Sequence, residues 1–382
     1  MFQRSFSLFR LFGFAIRIHA SWLVIAFVVT WSLAAGYFPY RYPSLTAPDY
    51  WWMAGIGALL LFASIVVHEL SHAMVARRFD VPMKGITLFV FGGIAEMDDE
   101  MPSAKSEFLM AAAGPVASVL IGGFFYALYR LSSGQWPLQA VGILEYLYWI
   151  NLVLAGFNLI PAFPLDGGRI FRAALWAWKN DLQWATRAAT SVGSVFGIVL
   201  ACLGVLQLFA GNFITAIWWF MLGMLLRSLS QAAYSQTLLK TTLSGEPVSR
   251  FMRANPVTVT PGTSIEELVN EHVYKEHERL FPVVTASNVL AGCVSADQVK
   301  NVPRHEWPQH SVQEILKPCS PENTITPETD SVEALKLMNR SGTPRLMVVE
   351  GRRLVAVVAL KDILNFLSAR LELEGRSPRR AA

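Results

Sequence analysis

The first 235 residues of the chain consist of long uncharged apolar blocks separated by short polar loops. A helix needs roughly 20 apolar residues to cross a bilayer. Six blocks, at 20–38, 51–76, 108–131, 143–163, 190–210 and 213–230, reach about that length and predict spanning helices. The last two are joined by only a tight Gly211-Asn212 turn. The run 85–93 is too short to cross, rich in β-branched and aromatic residues, and ends in Gly92-Gly93. It reads as a strand or hairpin on or dipping into the inner leaflet, or else as a short buried strand of a cytosolic loop. From about residue 240 strand and amphipathic-helix signals alternate, with charge spread as in a soluble domain. The pattern predicts an α-helical polytopic membrane domain with a short membrane-associated β segment, followed by a cytosolic α/β domain.

The second half repeats itself. Val248-Ser249-Arg250-Phe251-Met252 is answered 64 positions later by Val312-Gln313-Glu314-Ile315-Leu316. Thr260-Pro261 is answered by Thr326-Pro327, and Phe281-Pro282-Val283-Val284 by Arg345-Leu346-Met347-Val348-Val349. The expected organisation is a membrane domain over 1–235, a linker over 236–246, two repeats over 247–303 and 306–370, and a disordered tail over 371–382.

Composition supports this division. Hydrophobic residues make up 53% of the chain and charged residues 16%, against roughly 25% charged in ordinary soluble domains. The net charge of +4 does not imply a nucleic-acid partner, because the basic residues cluster at the ends of apolar runs. Arg4, Arg10 and Arg17 precede the first span, Arg77, Arg78, Lys84 and Lys105 follow the second, and Arg169, Arg172, Lys179 and Arg187 follow the fourth. By the positive-inside rule both termini are cytoplasmic, in a multi-pass protein of the cell membrane. No cleavage site follows the first apolar run, which reads as a span rather than a leader. Cys202, Cys293 and Cys319 are scattered, so neither a thiolate metal site nor a disulfide framework is expected.

Against that background one string stands out. His68-Glu69-Leu70-Ser71-His72 interrupts the second span, whose residues 51–67 carry no charge. Ionisable side chains at membrane depth are costly and persist mostly where they are used. On a helix His68 and His72 lie one turn apart on one face, so both imidazoles can reach one metal ion, and Glu69 beside them can take a proton from water. Such a string arises by chance in a chain of this length on the order of one per cent of the time. His68 precedes Arg77 by nine residues, about 14 Å at the helical rise, which sets the site below the cytoplasmic surface but short of the bilayer centre. His19, His272, His277, His305 and His310 show no ligand spacing.

A catalytic zinc usually takes three protein ligands and an open position. The best third candidate is Asp166, within Pro164-Leu165-Asp166-Gly167-Gly168 at the cytoplasmic end of the fourth span. Prolines break the helix there and glycines permit close approach. The competing reading is a plain helix-terminating turn at the interface; the histidine pair at matching depth favours the ligand. Gly114, Ala117 and Ser118, with Ala111 and Ala113, form a small-residue face read as bundle packing.

These motifs resemble the site-2 proteases, intramembrane zinc metalloproteases, in the branch that carries C-terminal tandem CBS domains. The matching residues are His68-Glu69-Leu70-Ser71-His72, Leu165-Asp166-Gly167 after Asn158 and Pro161, and Gly114-Pro115-Val116-Ala117-Ser118 in the family's third core helix. The resemblance implies one Zn2+ per chain on His68, His72 and Asp166, with Glu69 as general base. It implies that Asn158 and Pro161 shape a substrate groove, and that the strand carrying Ile86 and Leu88 pairs with extended substrate. The expected partners are the lipid bilayer and a membrane-spanning or membrane-tethered regulatory protein that is cleaved. The CBS pair implies modulation of activity, a homodimer through these domains, and an adenine nucleotide held by a hydroxyl and an acid three residues later. Each copy has half of that pair: Ser295 with Gln298, and Ala359 with Asp362. The readings of a nucleotide sensor and of a dimerisation or docking module both stay open. The alternative function is a CBS-regulated channel or transporter without proteolytic activity. It is opposed by the lack of an inverted repeat among the spans, the lack of a further chain of intramembrane charges, and a glutamate that adds nothing to transport.

Overall fold

The structure is a computed structural model that describes residues 5–81, 83–89, 92–97, 101–132, 135–276 and 278–373. The chain divides into two compact units, Met1–Thr237 and Leu238–Ala382.

Six long apolar helices, as the hydropathy predicts, are present among the described residues. The first span, Ser21–Arg41, is α1 (Ser21–Ser32), a π turn (Leu33–Tyr37) and α2 (Phe38–Arg41). The others are α3 (Ala47–Arg78), α4 (Ala104–Leu131), α5 (Leu138–Asn158), α7 (Leu182–Phe209) and α8 (Phe213–Leu243), with the short α6 (Asp166–Lys179) between α5 and α7. Their starts follow ordinary capping chemistry. Thr46 and Asp49 form a capping box on α3, with Thr46 N donating to Asp49 Oδ2 at 3.0 Å. Ser103 caps α4, accepting from Ser106 N at 3.2 Å, and Asp181 caps α7, accepting from Trp184 N at 2.9 Å. α5 ends at Asn158, a turn or so before the expected end at 163, where the chain turns through Leu159-Ile160-Pro161.

Helix faces divide between core and lipid. Leu33, Phe38, Met53, Leu61, Tyr146 and Leu147 form one buried cluster joining the first span, α3 and α5. Leu23, Phe27, Leu120, Phe124, Ile214 and Ile217 are exposed, as suits a surface whose solvent is hydrocarbon. α7 and α8 meet backbone to backbone: a Cβ on Gly197 would lie 2.5 Å from Gly223 O, and one on Gly223 2.4 Å from Gly197 O. Small residues permit this approach where lipid supplies no hydrophobic drive.

A four-stranded sheet runs β1 (Ser5–Leu11), β2 (Phe14–His19), β3 (Met83–Phe89), β4 (Gly92–Met97) in that spatial order. The residues before the first span, read from sequence as a basic tail, form the β1–β2 hairpin, turning at Phe12-Gly13 with φ of 50° and 90°. The expected hairpin is present as β3 and β4, antiparallel. The expectation for Ile86 and Leu88 needs correction. β3 pairs with β2 on one side and β4 on the other, so it offers no edge to a substrate. Ile86 and Leu88 are buried against Phe14, Ile16, Leu70 and Ala73. The cause is the β1–β2 hairpin, whose alternation (Ser5-Phe6-Ser7-Leu8 and Ile16-Arg17-Ile18-His19) falls in the segment read as a basic tail. The acidic run at 98–100, Phe91 and His277 lie outside the described residues.

The second unit holds two similar α/β lobes. One sheet is β6 (Leu280–Val284), β7 (Leu290–Ser295), β8 (Lys317–Pro318); the other is β5 (Arg253–Ala254), β11 (Arg353–Ala359), β10 (Arg345–Glu350), β9 (Thr324–Ile325). The sequence repeat reappears as paired hydrogen bonds across the lobes. Val248 N donates to Thr329 O and Val312 N to Thr263 O, both at 2.9 Å; Ser249 N donates to Pro327 O and Gln313 N to Pro261 O, both at 3.0 Å. Each lobe thus caps the other, and neither closes alone. Helices α9 (Ile265–Glu267), α10 (Tyr274–Glu276), α11 (Ala296–Val299) and α12 (Val312–Ile315) belong with the first lobe's strands and their connection, α13 (Ser331–Ser341) and α14 (Leu360–Leu373) with the second. The interval 236–246, expected as a linker, is helical through Leu243, and Gly245 N donates to Asp330 Oδ2 at 2.6 Å. Residues 371–373 of the expected tail continue α14, and 374–382 lie outside the described residues.

Candidate metal centre

α3 carries His68 and His72 on one face, 3% and 5% exposed. α6 begins at Asp166, so the aspartate sits in the first turn of a new helix rather than at the frayed end of α5. Gly167 and Gly168 make this possible: a Cβ on Gly167 would lie 2.3 Å from Leu159 O, and one on Gly168 2.5 Å from Phe163 N. No other residue lets α6 start so close to the preceding turn. That turn is held from α8 by Ser230 Oγ, which donates to Phe163 O at 2.5 Å.

Asp166 Oδ2 lies 3.1 Å from His68 Nε2 and 3.3 Å from His72 Nε2, and the two nitrogens are 3.3 Å apart. This is the one group of three metal-ligating side chains among the described residues. The other ring nitrogens are occupied. His72 Nδ1 lies 2.7 Å from Met110 O, and a carbonyl can only accept, so Nδ1 carries the proton and Nε2 of the neutral ring presents a lone pair. His68 Nδ1 lies 2.8 Å from the buried Ser118 Oγ. Both orienting partners come from α4.

The set fits zinc on two grounds. An ion with tetrahedral bonds of 2.0–2.1 Å has ligand atoms separated by about 3.3 Å, which the three spacings match. In addition, a cation among these closely packed atoms would offset the repulsion of their lone pairs away from water. Space for it is left by Gly114. A Cβ there would lie 2.2 Å from His72 Nε2 and 2.5 Å from His68 Nε2.

Glu69 follows His68 on α3 and makes no hydrogen bond or ion pair with a described residue, so its carboxylate is uncommitted. Arg169 lies one turn after Asp166 on α6. The structure therefore brings His68, His72 and Asp166 together with Glu69 adjacent. Asn158, half-buried, ends α5, and exposed Pro161 lies in the turn before Asp166; neither has a described contact with the histidines. Sequence reasoning missed the orienting role of Met110 O and Ser118 and the clearance at Gly114. Their spacing of four residues, 110, 114, 118, was the available signal, since it places them on one helical stripe.

In the second unit Ser295 and Gln298 close on each other in a capping box: Ser295 N donates to Gln298 Oε1 at 2.7 Å, and Gln298 Nε2 donates to Ile315 O at 2.5 Å. They line a cavity of about 270 Å³ with Lys317, Asn323, Thr343 and Arg345. Asp362 takes Arg253 Nε and Nη2 on Oδ1 at 2.9 and 2.6 Å, while its Oδ2 is buried without a partner among the described residues.

Both parts of the chain are similar to known proteins. The profile of Peptidase family M50 matches residues 56–143 and 133–203, and the CBS domain profile matches residues 248–304 and 312–369. Rip3 of Mycobacterium tuberculosis is 31% identical over 360 residues, covering 94% of this chain and 91% of its own. The zinc metalloprotease MJ0392 of Methanocaldococcus jannaschii is 30% identical over 373 residues, covering 97% and 98%. A solved site-2 protease from Methanocaldococcus jannaschii aligns at 28% identity with a TM-score of 0.43, covering 60% of this chain and 95% of that one. The chain belongs to peptidase family M50, the site-2 proteases, as a multi-pass membrane zinc metalloprotease with a CBS-domain pair.

Proposed function

We propose that His68, His72 and Asp166 hold one Zn2+, that Glu69 is the general base, and that the enzyme cleaves a membrane-spanning or membrane-tethered regulatory protein. The convergence of three ligand atoms on the clearance left by Gly114 carries this reading. Zinc bound there would supply a Lewis acid for the scissile carbonyl and make water acidic enough to deprotonate near neutral pH. The rest falls to the chain. Met110 O and Ser118 Oγ keep both Nε2 atoms turned inward. Glu69 takes a proton from the attacking water on a carboxylate oxygen and hands it to the departing amide nitrogen. The low exposure of both histidines keeps bulk water from the set.

A substrate helix must unwind before its carbonyl can be reached, and an unwound backbone in lipid needs partners. β4 ends the sheet, so its outer edge replaces β3 as the place where extended substrate adds as a strand. Asn158 and Pro161, on the approach to Asp166, line the groove. The cytoplasmic placement of both termini rests on the basic residues Arg10, Arg17, Arg77 and Arg78 at span ends. A channel or transporter reading has no observation in its favour.

The test is metal content with cleavage of a single-span reporter in vesicles. The purified chain is expected to hold one zinc, to lose cleavage on chelation and to regain it on zinc return. Asp166→Asn is expected to weaken zinc binding and cleavage together by about 100-fold or more. Unchanged zinc binding in both Asp166→Asn and His68→Ala would sink the ligand assignment.

The CBS pair is proposed to bind an adenine nucleotide through Asp362, whose buried Oδ2 has no donor among the described residues and could take one from a ribose hydroxyl. Ser295 is spent on its capping box, which favours Asp362 as the contributing side chain. Titration of the full chain with ATP, ADP and AMP is expected to give heat that Asp362→Asn reduces at least tenfold in affinity. No heat at millimolar nucleotide would leave the pair as a dimerisation or docking module. Homodimerisation through this unit is also proposed, supported by Leu364 and Leu373 exposed on α14.

A further inference from the structure

The ligand set draws on two groups of elements. α3 and α4 supply and orient the histidines, and α6 supplies Asp166. Between α4 and α6 lies a buried ion pair that the chemistry above does not use. Glu107, 0% exposed, accepts from Arg172 Nε at 2.7 Å, and Arg172 Nη2 donates to the same oxygen. Arg172 also reaches Thr186 Oγ1 on α7 at 3.4 Å, and its guanidinium sits 5.2 Å from the centroid of the Phe163 ring, in the turn that leads to Asp166. On α4, Glu107 stands one turn before Met110, whose carbonyl holds His72. The pair thus ties the stripe that orients the imidazoles to the helix and turn that aim the carboxylate. Removing two charges from water is costly, and an apolar pair of similar volume would pack the helices as well. What an apolar pair would not supply is direction, because a guanidinium held by two nitrogens fixes distance and angle together.

We propose that Glu107 and Arg172 are positioning residues, a clamp between α4 and α6 that sets Asp166 Oδ2 against the two histidine nitrogens. The proposal rests on the metal-centre reading. On Glu107 both bonds from Arg172 fall on Oε1, since Oε2 is buried without a partner among the described residues. Weakening this one contact therefore changes the clamp.

The full chain in detergent is loaded with zinc, or with cobalt as a spectroscopic probe, and affinity is measured by chelator competition. Glu107→Gln is expected to weaken zinc binding about 10–100-fold and to shift the cobalt absorption bands, with helical content unchanged. Arg172→Lys keeps the charge but loses the two-nitrogen grip, and is expected to act in the same direction; it carries the test should Glu107→Gln fail to fold. In an Asp166→Asn background, Glu107→Gln is expected to add nothing, because the clamp acts through Asp166. Wild-type affinity and cobalt bands in both variants would overturn the proposal, as would full additivity with Asp166→Asn. Should Asp166→Asn itself leave affinity unchanged, the metal-centre reading fails, and the clamp with it.

Discussion

Glu69→Gln is expected to retain wild-type zinc content and to lose cleavage of a membrane-spanning substrate by about 10²–10⁴-fold, the range that proton transfer by a placed side chain contributes. The two effects separate because Glu69 contributes no atom to the three-atom set formed by His68, His72 and Asp166. Glutamine keeps the volume and shape of the side chain, so packing on α3 is preserved, but an amide cannot accept the proton from water. Glu69 is also uncommitted among the described residues, so no hydrogen-bond network is broken by the change. Zinc content by elemental analysis and single-turnover cleavage in vesicles check both halves. Cleavage within a few-fold of wild type would remove Glu69 from the mechanism.

Gly114→Ala is expected to abolish the metal centre with a single methyl group. The added Cβ would meet His72 Nε2 at 2.2 Å, His68 Nε2 at 2.5 Å and His72 Cε1 at 2.6 Å, all well inside contact distance. Relief requires the rings to turn or α4 to withdraw. Turning breaks the bonds of Nδ1 to Met110 O and Ser118 Oγ, and withdrawal removes those partners altogether. Zinc affinity is expected to fall by about 100-fold or more, with cleavage falling in step. Gly123→Ala is the control, because a Cβ at Gly123 meets nothing within 4 Å on the same helix, and alanine is the better helix former. A Gly114→Ala protein that binds zinc like wild type would show that the clearance at Gly114 is not where the ion sits.

Much of this protein is legible in one dimension because its signals are local. Six apolar blocks appear as six spanning helices, since the bilayer imposes a length that a single run must meet by itself. His68 and His72 share a face because four residues make about one helical turn. The 64-residue repeat returns as matched hydrogen bonds between two lobes, since like sequences take like turns. Asp166 could be singled out because a Pro and Gly cluster marks a broken helix at a span end, and the histidine pair lies at matching depth on the same side.

The remainder depended on which segments meet, and no local pattern carries that. Ile86 and Leu88 alternate like residues of an exposed edge, yet β2, some 70 residues earlier, covers that edge and leaves β4 outermost. Gly114 and Ser118 are indistinguishable in sequence from ordinary small packing residues, and only the crossing of α4 over α3 puts them against two imidazoles. Glu107 and Arg172 look like polar residues at a span end and in a basic loop, but the packing of α6 on α4 buries both and turns them into a pair. Sequence by itself determined the helices, their chemistry-bearing faces and the repeat, because short-range sterics and burial set these. Tertiary structure alone decided that β3 is an interior strand, which nitrogen each imidazole turns toward Asp166, and that three ligand-type atoms converge. Those follow from distances between residues far apart in the chain, which packing creates and composition does not encode.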